Sequence, residues 1–265
     1  MLTIERDDLR HALDRGRFDT VFQPVFSLCT GAVVGVEALT RFPGSGVGPG
    51  PWFAAARAEG VEVELELATA RRALQLAAGL EERVCLWLNL GARALVSPLL
   101  EETLTAAAVP SLGIEITEHP APEDDAPLAA RCATLRRAGV RIAVDDVGSS
   151  ALTVRHVARL RPDQLKADLS VTQGLEHSIG ARRQARRIMG LARRQRAGVI
   201  AEGVETPGQL RRWAELGAQA AQGFLLGGPA PLEEALAATP LAGPVHHAPG
   251  AVSTPPRELP GHPPM

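Results

Sequence analysis

The chain has 265 residues, of which 45% are apolar, and a formal net charge of −2. That length holds one large domain or two ordinary ones with a sizeable core. Near-neutrality excludes a global field that recruits nucleic acid. Three cysteines, Cys29, Cys85 and Cys132, are scattered and odd in number, which argues against a disulfide framework and for a reducing compartment. None has a second Cys or a His at metal-ligand spacing, so zinc is not expected. No apolar run reaches the roughly 18 residues of a membrane span. The N-terminus is charged and lacks an apolar signal core, so the expected location is the cytoplasm, away from any membrane.

Residues 5 to 16 read as a short amphipathic helix with Leu9, Ala12 and Leu13 on one face. Two strand-like runs follow, about 19 to 27 and 33 to 41, separated only by S-L-C-T-G-A. So short a connection demands an antiparallel hairpin, because parallel neighbours need a longer crossover. Residues 43 to 51 read as a loop, and helices follow near 52 to 59 and 62 to 79. The chain then alternates. Strands are expected at 84 to 89, 112 to 117, 141 to 145, 163 to 167, 198 to 202 and 218 to 222. Helices follow them to about 107, at 124 to 138, 152 to 159, up to 196, at 207 to 216 and at 231 to 238. Eight strands with this rhythm predict an α/β fold, a TIM-like (β/α)8 barrel over residues 1 to 239 with one antiparallel strand from the N-terminal hairpin. Residues 240 to 265 contain eight prolines in 26 positions and no apolar periodicity, which reads as a disordered tail. His246, His247 and His262 lie in it, and solvated tail residues explain them better than a metal site.

The polar residues concentrate at strand ends. Glu37, Asn89, Glu115, Asp145, Lys166, Glu202 and Gln222 lie on seven different strands, six of them at or near the C-terminal end, the rim where barrels keep active sites. Buried carboxylates there are costly unless paired or metal-bound. An ion-pair network plugging the barrel mouth is the plainer alternative. Asp145-Asp146, closing the run R-I-A-V-D-D, juxtaposes two like charges, an arrangement a cation relieves; read alone, Asp146 could equally cap a helix. Oxygen donors without His or Cys favour Mg²⁺ or Mn²⁺. Four carboxylates exceed what one hydrated Mg²⁺ takes, so two ions are expected, with adjacent aspartates reaching different ions. Such a pair, about 3.5–4 Å apart, suits in-line attack on a phosphodiester. On the hairpin, Glu37 and Arg41 share a face, and four residues of strand separate them by about 13 Å. Arg41 could clamp a second phosphate, or simply form a surface salt bridge.

These motifs, in this order, resemble the EAL domain, a family of bacterial phosphodiesterases acting on cyclic di-GMP. The likeness covers about residues 5 to 238. It rests on Q-P at 23 and 24, E-A-L-T-R at 37 to 41, Asn89 in L-W-L-N-L, E-I-T-E at 115 to 118, Asp145-Asp146, K-A-D at 166 to 168, E-G-V-E at 202 to 205 and Q-G-F at 222 to 224. The resemblance implies a metal-dependent enzyme that hydrolyses cyclic di-GMP to linear pGpG. Glu37, Asn89, Glu115 and Asp145 would hold one ion and Asp146 the second. Lys166 and Glu202 would position or deprotonate the attacking water. Glu118 would brace the loop after Asp146. Gln23, Leu39, Arg41, Asp168 and Gln222 would bind substrate. A homodimer is also implied.

Two departures stand out. The loop after the aspartates is usually D-D-F-G-T-G in this family; here it is D-D-V-G-S-S, with Val147 in place of an aromatic ring and Ser150 in place of a glycine. The segment after E-A-L-T-R is short and glycine-rich, which predicts a more open substrate side. The changed loop keeps open the alternative of a weak or inactive domain that binds cyclic di-GMP or a protein. No cyclase half or sensor segment is evident, so regulation is left open, with a regulatory protein partner or dimerisation as the two candidates. Seven arginines between 181 and 196 could suggest a nucleic-acid patch, but without interleaved aromatics a solvated outer helix face with Ile188, Met189 and Leu191 inward is the better reading. Trp52, Trp87 and Trp213 suit packing rather than a base-stacking platform.

Overall fold

The computed structural model of the chain describes residues 4–44, 46–105, 108–117, 126–148, 154–239 and 241. In chain order the elements are α1 (Arg6–Arg15), β1 (Asp19–Ser27), β2 (Val33–Arg41), α2 (Pro49–Ala58), α3 (Glu62–Leu76), β3 (Cys85–Leu90), α4 (Ala92–Val96), α5 (Leu100–Leu104), β4 (Leu112–Ile116), α6 (Ala126–Arg137), β5 (Arg141–Val147), α7 (Val154–Leu160), β6 (Gln164–Ala167), α8 (Leu169–Gly174), α9 (Ile179–Gln195), β7 (Gly198–Ala201), α10 (Pro207–Leu216), β8 (Ala220–Ala221) and α11 (Leu232–Leu236). The eight strands close in sequence order into a barrel. From β2 to β8 every pairing is parallel, and β1 runs antiparallel to both of its neighbours, β2 and β8. The expected TIM-like barrel with one reversed strand is therefore the fold. Among the described residues no helix is long and apolar enough to cross a membrane.

Local chemistry sets the boundaries. In α10, Thr206 caps the helix by accepting the Gln209 N–H, Gln209 returns the bond, Pro207 occupies the first turn and Gly217 closes the helix in the left-handed conformation. The expected loop at 43 to 51 is shorter than predicted. Helix α2 starts at Pro49 because proline, with its preset φ and missing N–H, is favoured at the first helical position. The predicted tail at 240 to 265, with its histidines, lies outside the described residues apart from Leu241.

Strand alternation divides the apolar residues into two cores. One set of faces packs outward against the helices: Leu86, Leu88, Ile114, Ile142, Val144, Leu165 and Val199 are buried there. The opposite faces fill the barrel interior with Val25, Cys85, Trp87, Ala143, Ile200 and Ala220. Trp87 fits because its ladder partner is Gly113, where any Cβ would lie 2.2 Å from the indole ring. Leu9 and Ala12 of α1 are buried as predicted, in a third cluster with Phe18, Phe42, Ala56 and Leu65. Trp52 stacks on Phe42 with ring centroids 4.3 Å apart, and Trp213 is fully buried, donating to Thr172 Oγ1 at 3.0 Å.

Candidate active site

A step of two residues along a strand returns a side chain to the same face. Strands β3 to β8 therefore each carry an inward residue followed, one step toward the C-terminal mouth, by a second. The pairs are Trp87 and Asn89, Gly113 and Glu115, Ala143 and Asp145, Gln164 and Lys166, Ile200 and Glu202, Ala220 and Gln222. On the hairpin, Gly35 leads to Glu37, and the reversed β1 contributes Gln23 opposite it. Glu37 is mid-strand in sequence yet at the mouth in space, because β3 pairs with β2 only as far as Ala38. The rest of the hairpin, through Arg41, stands above the rim.

Lys166 is fully buried at the centre of this layer. Its Nζ lies 2.5 Å from Glu115 Oε2, 2.8 Å from Glu202 Oε1, 3.2 Å from Glu37 Oε2 and 3.6 Å from Asp145 Oδ1. Asn89 Nδ2 donates to Glu37 Oε1 at 2.8 Å. Gln222 Nε2 donates to Glu37 Oε2 at 2.6 Å and to Gln23 Oε1 at 2.9 Å. Burial opposes the Glu37 charge, but Lys166 and the amide donors outweigh it and hold the carboxyl below its ordinary value. Burial, reinforced by the neighbouring Glu37 charge, pushes Glu115 well above its own. Glu202 is raised well above as well, by burial first, with Lys166 opposing and Asp145 and Glu37 adding to it. Burial also works against the Lys166 ammonium, yet the four surrounding carboxylates raise its pKa well above the usual lysine value.

The donor set suits a hard divalent cation. Four acidic side chains share one ammonium in a site without His or Cys, and the upward shifts of Glu115 and Glu202 are those of a layer short of positive charge. Glu115 Oε1 is buried with no hydrogen-bond partner among the described residues, and a buried carboxyl oxygen of this kind fits a cation. One oxygen each from Asp145, Asp146 and Glu202 lie within 4.8 Å of one another. Adjacent strand residues normally face opposite ways. Here the β5–β6 register shifts between Val144 and Val147, and Asp146 takes a left-handed φ of 52°, so both carboxylates come to the mouth. The Asp146 N–H donates to Asp145 Oδ1 at 2.9 Å.

The remaining expectations distribute as follows. Leu39 lines a cavity of about 310 Å³ beside the acidic layer, with Glu37, Asn89, Thr20, Phe53 and Thr117. Arg41 is half-buried, donates to the Thr40 carbonyl at 3.0 Å, and among the described residues pairs with no carboxylate. Asp168 caps α8 by accepting the Ser170 N–H at 2.9 Å through Oδ1, a structural duty the sequence reading did not assign. Glu118, Ser149 and Ser150 lie outside the described residues. Val147 is buried in the outer core and pairs with Ala167. Sequence reasoning missed Glu66: buried on α3, it accepts the Gly91 N–H at 2.7 Å, two residues after Asn89. Its signal was the spacing of Glu62 and Glu66, one helical turn apart on a face otherwise turned inward.

A family model described as the EAL domain matches residues 6–229. The chain belongs to the EAL domain family. Among its relatives, the cyclic di-GMP phosphodiesterase NbdA of Pseudomonas aeruginosa is 34% identical over 244 residues, covering 85% of this chain and 30% of that protein. The probable cyclic di-GMP phosphodiesterase PdeI of Escherichia coli K12 is 30% identical over 239 residues, covering 84% of this chain and 30% of that protein. The EAL chain thus spans about a third of the length of these curated relatives. Among solved structures, the PaMucR phosphodiesterase in complex with c-di-GMP superposes with a TM-score of 0.77 at 29% identity, covering 86% of this chain and 98% of that one.

Proposed function

We propose that this EAL domain hydrolyses cyclic di-GMP to linear pGpG. The observation that carries the reading is the convergence of Glu37, Glu115, Asp145 and Glu202 on Lys166 at the barrel mouth, beside a cavity lined by Glu37, Asn89 and Leu39. The relatives whose names specify a cyclic di-GMP phosphodiesterase support the choice of substrate. Glu37, Asn89, Glu115 and Asp145 would hold one Mg²⁺ or Mn²⁺ ion, and Asp146 a second with Glu202 beside it. Two such ions stabilise charge on the attacking and leaving oxygens of a phosphodiester.

The chain's own groups do the rest. Lys166 and Glu202, 2.8 Å apart, form a pair that orients a water and takes the proton it releases as its oxygen bonds to phosphorus, while the phosphorus bond to the leaving ribose oxygen breaks and that oxygen departs protonated as the free hydroxyl of pGpG. Glu37 is fixed by Asn89 and Gln222 so that its oxygens stay inward. Arg41, above the rim and unpaired with any described carboxylate, grips the phosphate that is not being cleaved. Gln23, Leu39, Asp168 and Gln222 contact the nucleotide, and Glu118 braces the loop after Asp146. The working unit is residues 1–239, with 240–265 a tail beyond it; a homodimer and a regulatory protein partner belong to the same reading.

Incubation with Mg²⁺ or Mn²⁺ and cyclic di-GMP, followed by chromatographic separation of pGpG, tests it, with Glu37→Ala as control. Binding of the dinucleotide without turnover at high enzyme would instead assign the chain as a binding module, the alternative motivated by D-D-V-G-S-S. Light scattering that finds a monomer at high concentration would remove the dimer.

A further inference from the structure

We propose that Gln184, on the outer helix α9, is a positioning residue that holds Asp145 and Asp146 in their metal-binding arrangement; the inference rests on the metal-dependent reading of the site. Presenting two adjacent carboxylates at one mouth requires the chain to leave strand geometry. It does so through the register shift after Val144 and the left-handed Asp146. Aspartate tolerates that conformation better than most residues, but inside a strand it still costs free energy that contacts around it must offset. The carbonyls of the next two residues supply the hold. The Val147 carbonyl accepts from the Asp168 N–H at 3.3 Å, and the Gly148 carbonyl accepts from Gln184 Nε2.

The clamp has a rigid base. Helix α9 is capped by Ser178, which accepts the Ala181 N–H at 3.2 Å, and its Ala185, Ile188, Met189, Leu191 and Ala192 are buried. Gln184 and Ile188 lie one turn apart and meet the loop together. Gly148 has a φ of 119°, and a Cβ there would lie 2.8 Å from Val171, 3.2 Å from Gln184 Nε2 and 3.3 Å from Ile188. The loop backbone is thus pressed onto α9 where the amide donates. Arg182, Arg183, Arg186 and Arg187 surround Gln184 in sequence, so one neutral donor aimed at a carbonyl stands out in a basic segment. The amide acts on the backbone, through the Gly148 carbonyl, and on none of the carboxylates. It fixes the far side of the kink, and the carboxylates follow.

The test compares wild type with Gln184→Leu, which keeps volume but loses the donor, and with Gln184→Ala. Mn²⁺ binding is titrated by calorimetry, the Mg²⁺ dependence of turnover is measured, and amide hydrogen exchange at residues 145–148 is followed in metal-free protein. Expected are a loss of roughly 10-fold or more in affinity for one of two Mn²⁺ ions, the scale of lost outer-shell support, and a matching rise in the Mg²⁺ needed for half-maximal rate. The rate at saturating Mg²⁺ stays near wild type, and exchange at 145–148 is faster. A general loss of fold would lower the saturated rate as well. If both Mn²⁺ ions bind Gln184→Leu as they bind wild type, the clamp is refuted and the metal reading stands. If wild type binds no Mn²⁺, the metal reading fails; unchanged exchange in the variant then overturns the clamp on its own.

Discussion

Lys166 Nζ lies 2.5 Å from Glu115 Oε2, both groups fully buried, while the other Glu115 oxygen has no hydrogen-bond partner among the described residues. The ammonium thus serves four carboxylates and leaves capacity on one of them. Without a cation beyond Lys166, the layer is held together by a single positive charge. Lys166→Met should therefore destabilise the metal-free protein by about 3–5 kcal/mol, the scale of breaking a buried ion pair from one side. Mg²⁺ or Mn²⁺ should restore part of that loss. Denaturant titrations with and without metal check it; a variant as stable as wild type in chelator refutes the idea that Lys166 neutralises the layer. Turnover should fall by roughly 10²–10⁴-fold, the contribution of a positioned proton-transfer group.

Glu37 receives Asn89 on one oxygen and Gln222 and Lys166 on the other. Glu37→Gln keeps the size but presents an NH₂ to at least one of those donors. Donor facing donor in a buried layer costs about 1–3 kcal/mol. Thermal denaturation should show that loss, and pGpG formation should fall by more than about 100-fold, the scale of losing one electrostatic contact of the transition state. An unchanged rate would remove Glu37 from the site.

The sequence made the site legible because the barrel interior repeats with period two. Asn89, Glu115, Asp145, Lys166, Glu202 and Gln222 each close a strand, and strand ends in such a barrel share one rim. Glu37 escaped that rule: the hairpin overhangs β3, and the overhang depends on a pairing partner rather than on local pattern. The kink at Asp146 was hidden for a similar reason. The two aspartates can be read off the chain, but the register shift that turns both inward comes from the β6 partner and from α9. Glu66 was masked by its helix, whose pattern reads as an ordinary amphipathic repeat until the loop carrying Gly91 closes over it.

Arg41 gives a prediction that separates binding from chemistry. Its side chain donates to the Thr40 carbonyl and meets no described carboxylate, so its removal should leave stability unchanged. A charged hydrogen bond to phosphate is worth about 1.5–3 kcal/mol, so Arg41→Ala should raise KM for cyclic di-GMP roughly 10- to 100-fold. The kcat should change far less. Arg41→Lys keeps the charge but not the two-pronged geometry, and should fall between. Steady-state kinetics decide; equal KM values for all three proteins would place Arg41 outside the substrate's reach.

The pH dependence of stability should carry the signature of Glu66. Burial raises its pKa to about 7; the Gly91 N–H opposes the rise, Glu62 adds to it, and Arg57 opposes it. The neutral acid is therefore the form the fold prefers. The unfolded chain releases this proton at an ordinary carboxylate pKa of about 4.5, so between there and about 7 the native state binds more protons than the unfolded one. Stability from this group is fully present below about 4.5, falls as pH rises, and is gone above about 7. The difference amounts to about 3 kcal/mol at most. Glu66→Gln keeps an oxygen to accept the Gly91 N–H and cannot ionise. The variant should match wild type near pH 4.5 and exceed it at pH 8, by up to that amount. Urea titrations of both proteins across this range measure the gap, and parallel stability curves would show that Glu66 stays charged in its cavity.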